Sequence, residues 1–407
     1  MNATASVAVL KFGGTSVASH EQRAIACGRV LQARDAGFAT VAVVSAIGRP
    51  PDPYATDSLL ALVGGRVGSA NADLLLVAGE LIAAAVFAEE LTNLCGVPAT
   101  ALSGAQAGIV TDERHGDATI LRVEPQTVVA LLERGIVPVI AGFQGVSERG
   151  TLTTLGRGGT DLSAIAIGHA LQAQRVDIYT DVSGAMTADP QHIPQARTIG
   201  RASLEEMSEL AEQGAKVMHH KAADYANRVG LNYTIKGLHT DAGTLVDNRI
   251  DHHRPVTGVT ASGRLTWVRV IRGDIESPAR RMQTELEMFA RLAGASISID
   301  QVTINQAGVA FVVQGDRASD VRRLLGDLNL AVRVREGCSK LSVVGSGMRG
   351  TPGVVREVVE ALSRENVEII HCTDSNVTIS ILVPAQDVAR AQRAVHDHFA
   401  LDALDPQ

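Results

Sequence analysis

Short apolar runs and longer mixed stretches take turns along the first part of the chain. Val7–Leu10, Thr40–Ser45, Ala99–Leu102, Val137–Ala141 and Val176–Thr180 are runs sized for buried strands. Stretches of helical length lie between or after them: His20–Ala36, Ala72–Leu94, Pro125–Arg134, Leu162–Leu171, Leu204–Gln213 and Lys216–Val229. Tyr233–Lys236 and Gly243–Val246 read as closing strands. This alternation predicts an α/β domain: an open, mostly parallel sheet with helices on both faces. A hairpin interrupts it, from Phe143–Val146 through a turn at Glu148-Arg149-Gly150 to Thr151–Thr154. The proline-bearing segment Arg49–Tyr54 reads as a loop, and Thr56-Asp57-Ser58 as a cap for a helix starting near Leu59.

The pattern changes near Thr266. Strands are expected at Trp267–Ile271, Ser296–Thr303, Val309–Val313 and Ala331–Val334, with helices at Pro278–Leu292 and Ala318–Leu328. The order then repeats: Leu341–Val344, helix Gly353–Glu365, Glu368–Cys372, Val377–Leu382, helix Asp387–Phe399. Two βαββαβ units in tandem predict a ferredoxin-like pair. Met282, Leu286 and Phe289 share one face of the first helix, and Val354, Val355, Val358 and Leu362 point inward in the second unit. The expected division is a domain over 1–248, a linker over 249–264, and units over 265–337 and 338–403.

Several strands end in chemistry. In open α/β sheets ligands gather at the carboxyl ends of the strands. The first strand runs into Lys11, then Gly13-Gly14 and the hydroxyls of Thr15 and Ser16. Glycines let backbone N–H groups approach an anion, a helix N-terminus adds partial positive charge, and the lysine adds a full one. This is no Walker A loop, which places its lysine after the glycines. The bland alternative is a tight turn beside a surface lysine. Gly156-Arg157-Gly158-Gly159-Thr160-Asp161 opens an apolar helix and again suits an anion, with Arg157 able to grip a carboxylate or phosphate in two-pronged fashion. A plain helix cap would explain Thr160 and Asp161 but not the arginine among glycines. Thr180-Asp181 leads into a glycine turn, and Gly214-Ala215-Lys216 sets another lysine near a helix start. Glu80 lies within the apolar part of a long helix, where a buried carboxylate needs a cation or donors. Its alternative is the helix's solvated side. His219-His220 is a poor chelate, and Asp251-His252-His253 and His396-Asp397-His398 read as solvated surface.

Composition narrows the classes. The chain has 407 residues, 45% hydrophobic and 20% charged, enough for a sizeable core and two or three domains. A net charge of -7 without a basic tract argues against a nucleic-acid partner. Cys27, Cys95, Cys338 and Cys372 are far apart, which indicates neither a zinc site nor a disulfide framework. No signal peptide is evident, and Leu74–Ala88, broken by Gly79 and Glu80, is too short to span a bilayer. A cytoplasmic protein with reduced thiols, and no membrane partner, is expected.

The motifs also carry a resemblance. K-F-G-G-T-S-V at 11–17, V-V-S-A at 43–46, G-E at 79–80, G-F-Q-G at 142–145, T-T-L-G-R-G-G-T-D at 153–161, Y-T-D-V-S-G at 179–184, T-A-D-P at 187–190 and G-A-K-V at 214–217 resemble, in order, the aspartate kinases of the amino-acid kinase superfamily. The resemblance implies transfer of the γ-phosphate of ATP, with Mg²⁺, to the side-chain carboxylate of L-aspartate, giving 4-phospho-L-aspartate. That is the first step toward lysine, threonine and methionine. It implies that Lys11, Gly13 and Gly14 hold the transferring phosphate and that Lys216 helps on the nucleotide side. Arg157 would clamp the α-carboxylate of aspartate, Glu80 would take its ammonium, and Asp161 would orient the lysines and the amine. Thr15, Ser45, Thr56, Gly158, Gly159 and Thr160 would complete the substrate site. Thr180, Asp181, Thr187, Asp189 and Pro190 would shape the nucleotide pocket, with no metal held by protein side chains. The alternatives are a kinase for glutamate or N-acetylglutamate, and a weakly catalytic amino-acid sensor.

The stretch S-V-V-G-S-G-M-R-G-T-P-G-V at 342–354 resembles the second ACT domain of the same family. Its G-x-G-x-x-G match is no dinucleotide fold, which needs more strands than the remaining residues supply. The first unit is more divergent: Asp274-Ile275-Glu276-Ser277-Pro278-Ala279 stands where the family usually carries D-x-P-G. The resemblance implies a lysine or threonine effector, with feedback weakened or altered by the missing glycine, and a homodimer or larger assembly. The family's G-A-K-V-x-H-P-R ends here in His220 and Lys221, and Ala185-Met186 stands where Val-Tyr is usual before T-A-D-P.

Overall fold

A computed structural model describes residues 6–215, 217–251, 254–271, 277–326, 328 and 330–403. The chain divides into two compact units. One comprises the residues up to Met186 together with Thr198–Ile250. The other comprises Thr187–Arg197 and Asp251–Leu404.

The first unit runs β1 (Val7–Phe12), α1 (His20–Asp35), β2 (Ala39–Val44), α2 (Thr56–Ala61), α3 (Ala70–Cys95) and β3 (Ala99–Leu102). Then come β4 (Ile109–Thr111), β5 (Ile120–Val123), α4 (Gln126–Glu133), β6 (Val137–Ala141), β7 (Gln144–Ser147), β8 (Leu152–Thr154) and α5 (Gly159–Ala170). It closes with β9 (Arg175–Thr180), β10 (Arg201–Ser203), α6 (Leu204–Glu212), α7 (His220–Val229), β11 (Tyr233–Gly237) and β12 (Gly243–Asp247). An 8-stranded sheet has the order β10-β12-β11-β9-β1-β2-β6-β3. Only β11–β12 is antiparallel among its pairs. Strands β5-β4-β7-β8 form a second small sheet.

Strand alternation sets the two faces of the large sheet. Leu10 and Phe12 of β1, with Ala42 and Val44 of β2, pack against Ala26, Cys27 and Val30 of α1 and Ala83, Ala84 and Phe87 of α3. Lys11, between Leu10 and Phe12, therefore points to the opposite face, where α5 packs on β1.

The local details depart from the expectation in places. Helix α2 begins at Thr56 itself, and its N-cap is Ala55, which supplies no side-chain bond. Helix α7 begins at His220 rather than Lys216, with His219 as its N-cap. Strands β4, β5 and β10 are three or four residues long, too short for a periodic signal.

The second unit runs β13 (Gly258–Ile271), α8 (Pro278–Gly294), β14 (Asp300–Asn305), β15 (Gly308–Gln314), α9 (Ala318–Gly326) and β16 (Ala331–Val344). It continues with α10 (Val354–Arg364), β17 (His371–Asp374), β18 (Thr378–Pro384) and α11 (Val388–His398). All six strands share one sheet, in the order β14-β15-β13-β16-β18-β17. Strands β13 and β16 are each 14 residues long and pair in two blocks. Val268 and Val270 join the core beneath α8 and α9, whereas Val259, Leu341 and Val343 join the core beneath α10 and α11.

The expected linker 249–264 is thereby corrected. From Gly258 it is strand, and Gly258–Ser262 pairs with Lys340–Val344 as the fourth strand of the second ferredoxin-like unit. The first ferredoxin-like unit is thus inserted into the second. Among the described residues no strand follows α11, so the free edge of β16 is covered from the amino-terminal side.

Three side-chain expectations also change. Met282 and Leu286 are exposed while Met288 and Leu292 fill the core, and Val355 is exposed beside buried Val354 and Val358. His396 is not solvated: it is fully buried, and its Nε2 lies 3.1 Å from the Thr187 hydroxyl. Residues 252–253 and 272–276, including Asp274-Ile275-Glu276 and the His252-His253 pair, lie outside the described residues.

Candidate active site

A cavity of about 770 Å³ opens at the carboxyl ends of β1, β2 and β9. The Lys11 Nζ lies 2.7 Å from the Asp161 Oδ1, with both side chains nearly buried. A Cβ on Gly13 would stand 3.3 Å from that Nζ, so the glycine leaves the ammonium room. One on Gly14 would meet the Ala46 carbonyl at 2.7 Å, and this close approach brings the first two strand-end turns together. The Ser45 hydroxyl donates to the Thr160 hydroxyl at 2.9 Å, tying the second turn to the first turn of α5.

Helix α5 starts from Gly158, held in the left-handed region at φ 70 with no side-chain cap. A Cβ there would stand 2.0 Å from the Cβ of His219, so the glycine turn lies directly against the start of α7. First-turn amides of a helix have no intrahelical partner and carry partial positive charge. The first-turn residues Gly159, Thr160 and Asp161 line the cavity beside Arg157. Burial, then the neighbouring His220 and Lys221, push the His219 imidazole below its usual range.

Glu80 enters the same cavity from α3 and is 3% exposed. Burial pushes its carboxyl up to about 8, against the Ala46 amide and the Lys11 charge, which pull it down. Its Oε2 is buried without a hydrogen-bond partner. A carboxylate stranded this way is suited to receive a cation.

Lys11, Gly13, Gly14, Thr15, Ser45, Thr56, Glu80, Arg157, Gly158, Gly159, Thr160, Asp161, Thr180 and Asp181 all line this one cavity. Lys216 lies outside the described residues, although its neighbour Val217 is in the lining. Thr187, Asp189 and Pro190 are not in the lining. Thr187 belongs instead to the second unit. It is buried there, its hydroxyl accepting from the Arg197 amide and meeting His396, its carbonyl accepting from the Val259 amide.

Two contributors carry no local signal in the sequence. Arg49, from the proline-bearing loop, lines the cavity and pairs with Asp181 at 3.3 Å. Asp73, two turns before Glu80 on α3, anchors two other segments of the wall. Among the described residues, no group of three or more His, Cys, Asp or Glu side chains is placed to hold a metal ion. None of their helices is long and apolar enough to cross a membrane.

A lysine and glycine turns at parallel strand ends, facing a helix start across one large cavity, define a phosphate-handling α/β protein. Comparison with known proteins agrees: residues 6–237 match the amino acid kinase family, and residues 341–399 match an ACT domain. The chain belongs to the amino acid kinase family. Within it, aspartokinases are similar to this chain over nearly its full length. Aspartokinase 1 of Bacillus subtilis is 38% identical, spanning 97% of this chain and 99% of its own. E. coli aspartokinase III solved with aspartate and ADP superposes with a TM-score of 0.75 at 25% identity, covering 96% of this chain and 99% of that one. The same enzyme with lysine and aspartate gives a TM-score of 0.72 at 26% identity, covering 97% and 99%.

Proposed function

We propose that this protein is an ATP-dependent kinase that phosphorylates the side-chain carboxylate of L-aspartate, giving 4-phospho-L-aspartate. One observation carries the choice of acceptor. The cavity that holds Lys11 also holds a cation, Arg157, and a buried carboxylate with an unsatisfied oxygen, Glu80. A free amino acid needs one partner for its α-carboxylate and one for its ammonium, and these two residues supply them. A capped amine would leave Glu80 without a counter-charge, which disfavours N-acetylglutamate.

The acceptor carboxylate is already an anion at neutral pH, so no general base is required. The difficulty is bringing two anions into line. Lys11 and the amides of Gly13-Gly14 offset the charge of the transferring phosphoryl group, and Asp161 fixes the lysine head. A carboxylate oxygen bonds to the γ-phosphorus as the bond to the β–γ bridging oxygen breaks, and ADP leaves. Mg²⁺, entering with the nucleotide, would supply further charge neutralisation. Thr180 and Asp181, at the end of β9, serve the nucleotide side in this reading, and the motif Gly214-Ala215-Lys216 assigns Lys216 the same task.

The ferredoxin-like pair is proposed as the regulatory part, responding to lysine or threonine. A homodimer or larger assembly in the cytoplasm, at the head of lysine, threonine and methionine synthesis, completes the proposal. A coupled ADP-release assay over aspartate, glutamate and N-acetylglutamate tests it. Turnover with aspartate alone is expected, and turnover with N-acetylglutamate but not aspartate contradicts it. Retention of ATP turnover also separates the enzyme from a catalytically silent sensor.

A further inference from the structure

Asp73 is a buried carboxylate that the phosphoryl-transfer reading leaves without a role. It is 1% exposed, and it does not line the cavity. Both its oxygens are nevertheless fully engaged. The Thr154 hydroxyl donates to Oδ1 at 2.6 Å, and the Thr154 amide donates to Oδ2 at 3.1 Å. The Gly116 amide donates to both oxygens at 3.1 and 3.2 Å, and the His115 Nδ1 lies 2.8 Å from Oδ2. A helix side chain thus grips two remote segments, 42 and 81 residues away in sequence.

Those segments are parts of the cavity wall. Gly116 and Thr154 both line it, and Thr154 stands three residues before Arg157. Between them only Leu155, fully buried, and Gly156 intervene. At the other end of the grip, Glu80 follows Asp73 by seven residues on the same helix. Seven residues turn a helix through nearly two full turns, so the two carboxylates share a face about 10 Å apart along the axis. One side chain therefore ties the arm that carries Arg157 to the helix that carries Glu80.

We propose that Asp73 is a positioning residue: it fixes the separation of Arg157 from Glu80 and so sets the affinity for the acceptor amino acid without touching it. This rests on the roles given above to Arg157 and Glu80. Charged acceptors of backbone donors hold geometry tightly, and small misplacements of a binding group are costly in a site that reads two charges at once.

The test uses the full chain. Asp73→Asn and Thr154→Val are each made alone and in an Arg157→Ala background, and KM for aspartate, KM for ATP and kcat are measured. Asp73→Asn should raise the aspartate KM about tenfold, with the ATP KM and kcat changed less than about twofold. Thr154→Val, which removes one hydroxyl and keeps the fold in reach should the aspartate variant not fold, should raise the aspartate KM about threefold. In the Arg157→Ala background both effects should vanish, because the arm no longer carries a charge to position. An unchanged aspartate KM, a parallel rise in both KM values, or an undiminished effect in the Arg157→Ala background overturns the proposal. Arg157→Ala and Glu80→Gln separate the two levels. If neither alters the aspartate KM, the reading of the site fails and takes this inference with it. If both do and the Asp73 and Thr154 variants do not, only this inference fails.

Discussion

The ammonium of Lys11 and the carboxylate of Asp161 form a 2.7 Å ion pair at the mouth of two parallel strands, one side chain from β1 and the other from the first turn of α5. Parting a nearly buried pair leaves the survivor uncompensated, at a cost of about 3–5 kcal/mol. Lys11→Ala should therefore lower both stability and activity, with kcat down about 10²–10³-fold, as for other lost charge-stabilising donors. Lys11→Ala combined with Asp161→Asn separates the two effects. Thermal unfolding should recover toward the parent in the double variant, while turnover should not.

Arg157 is exposed at the cavity wall and free to meet a ligand carboxylate. A hydrogen bond to a charged group contributes about 1.5–3 kcal/mol, so Arg157→Ala should raise the aspartate KM about 10–100-fold. The ATP KM should hold. Steady-state kinetics in both substrates decide this, and a change confined to ATP would move Arg157 to the nucleotide side.

Glu80 gives the site a pH signature. Its carboxyl is raised from the usual 4.5 to about 8 by burial, so the free protein keeps the proton that the unfolded chain has lost. A folded-state pKa above the unfolded value contributes stability that is fully present below the unfolded pKa. That contribution declines as pH rises from 4.5 toward about 8. Binding an ammonium requires the ionised form. Aspartate binding near pH 7 should therefore release a proton, and affinity should rise with pH until about 8. Calorimetry in buffers of different ionisation enthalpy reads the proton directly, and Glu80→Gln should abolish it.

Thr187 tests the boundary of the nucleotide site. Its hydroxyl is buried between the Arg197 amide and His396. Thr187→Val should cost about 1–3 kcal/mol of stability through the unsatisfied partners and leave the ATP KM unchanged. A raised ATP KM without loss of stability would restore Thr187 to the nucleotide wall.

Much of the site was legible because its residues sit in local patterns. Lys11 ends an apolar run, and Arg157 and Asp161 flank glycines at a helix start, so strand–turn–helix logic alone brings them to one edge of a sheet. Asp73 was not legible, since its meaning comes only from Gly116 and Thr154, which the fold delivers from far along the chain. His396 looked solvated at the head of the run His396-Asp397-His398. The helical period instead places it with Gln392 and Val395 on the buried face of α11. The strands of the second unit were visible as apolar runs, but the sharing of β13 between two cores was not. Which strands pair is a matter of register across the sheet, and no local pattern records it.

The most direct measurement is to trap the product. An acyl phosphate reacts with hydroxylamine to give a hydroxamate, so the protein incubated with ATP, Mg²⁺, L-aspartate and hydroxylamine should accumulate aspartyl hydroxamate. Omission of ATP, or the Lys11→Ala variant, should leave only background. Hydrolysis of ATP without any aspartate-dependent hydroxamate would contradict the assignment of the aspartate carboxylate as the phosphoryl acceptor.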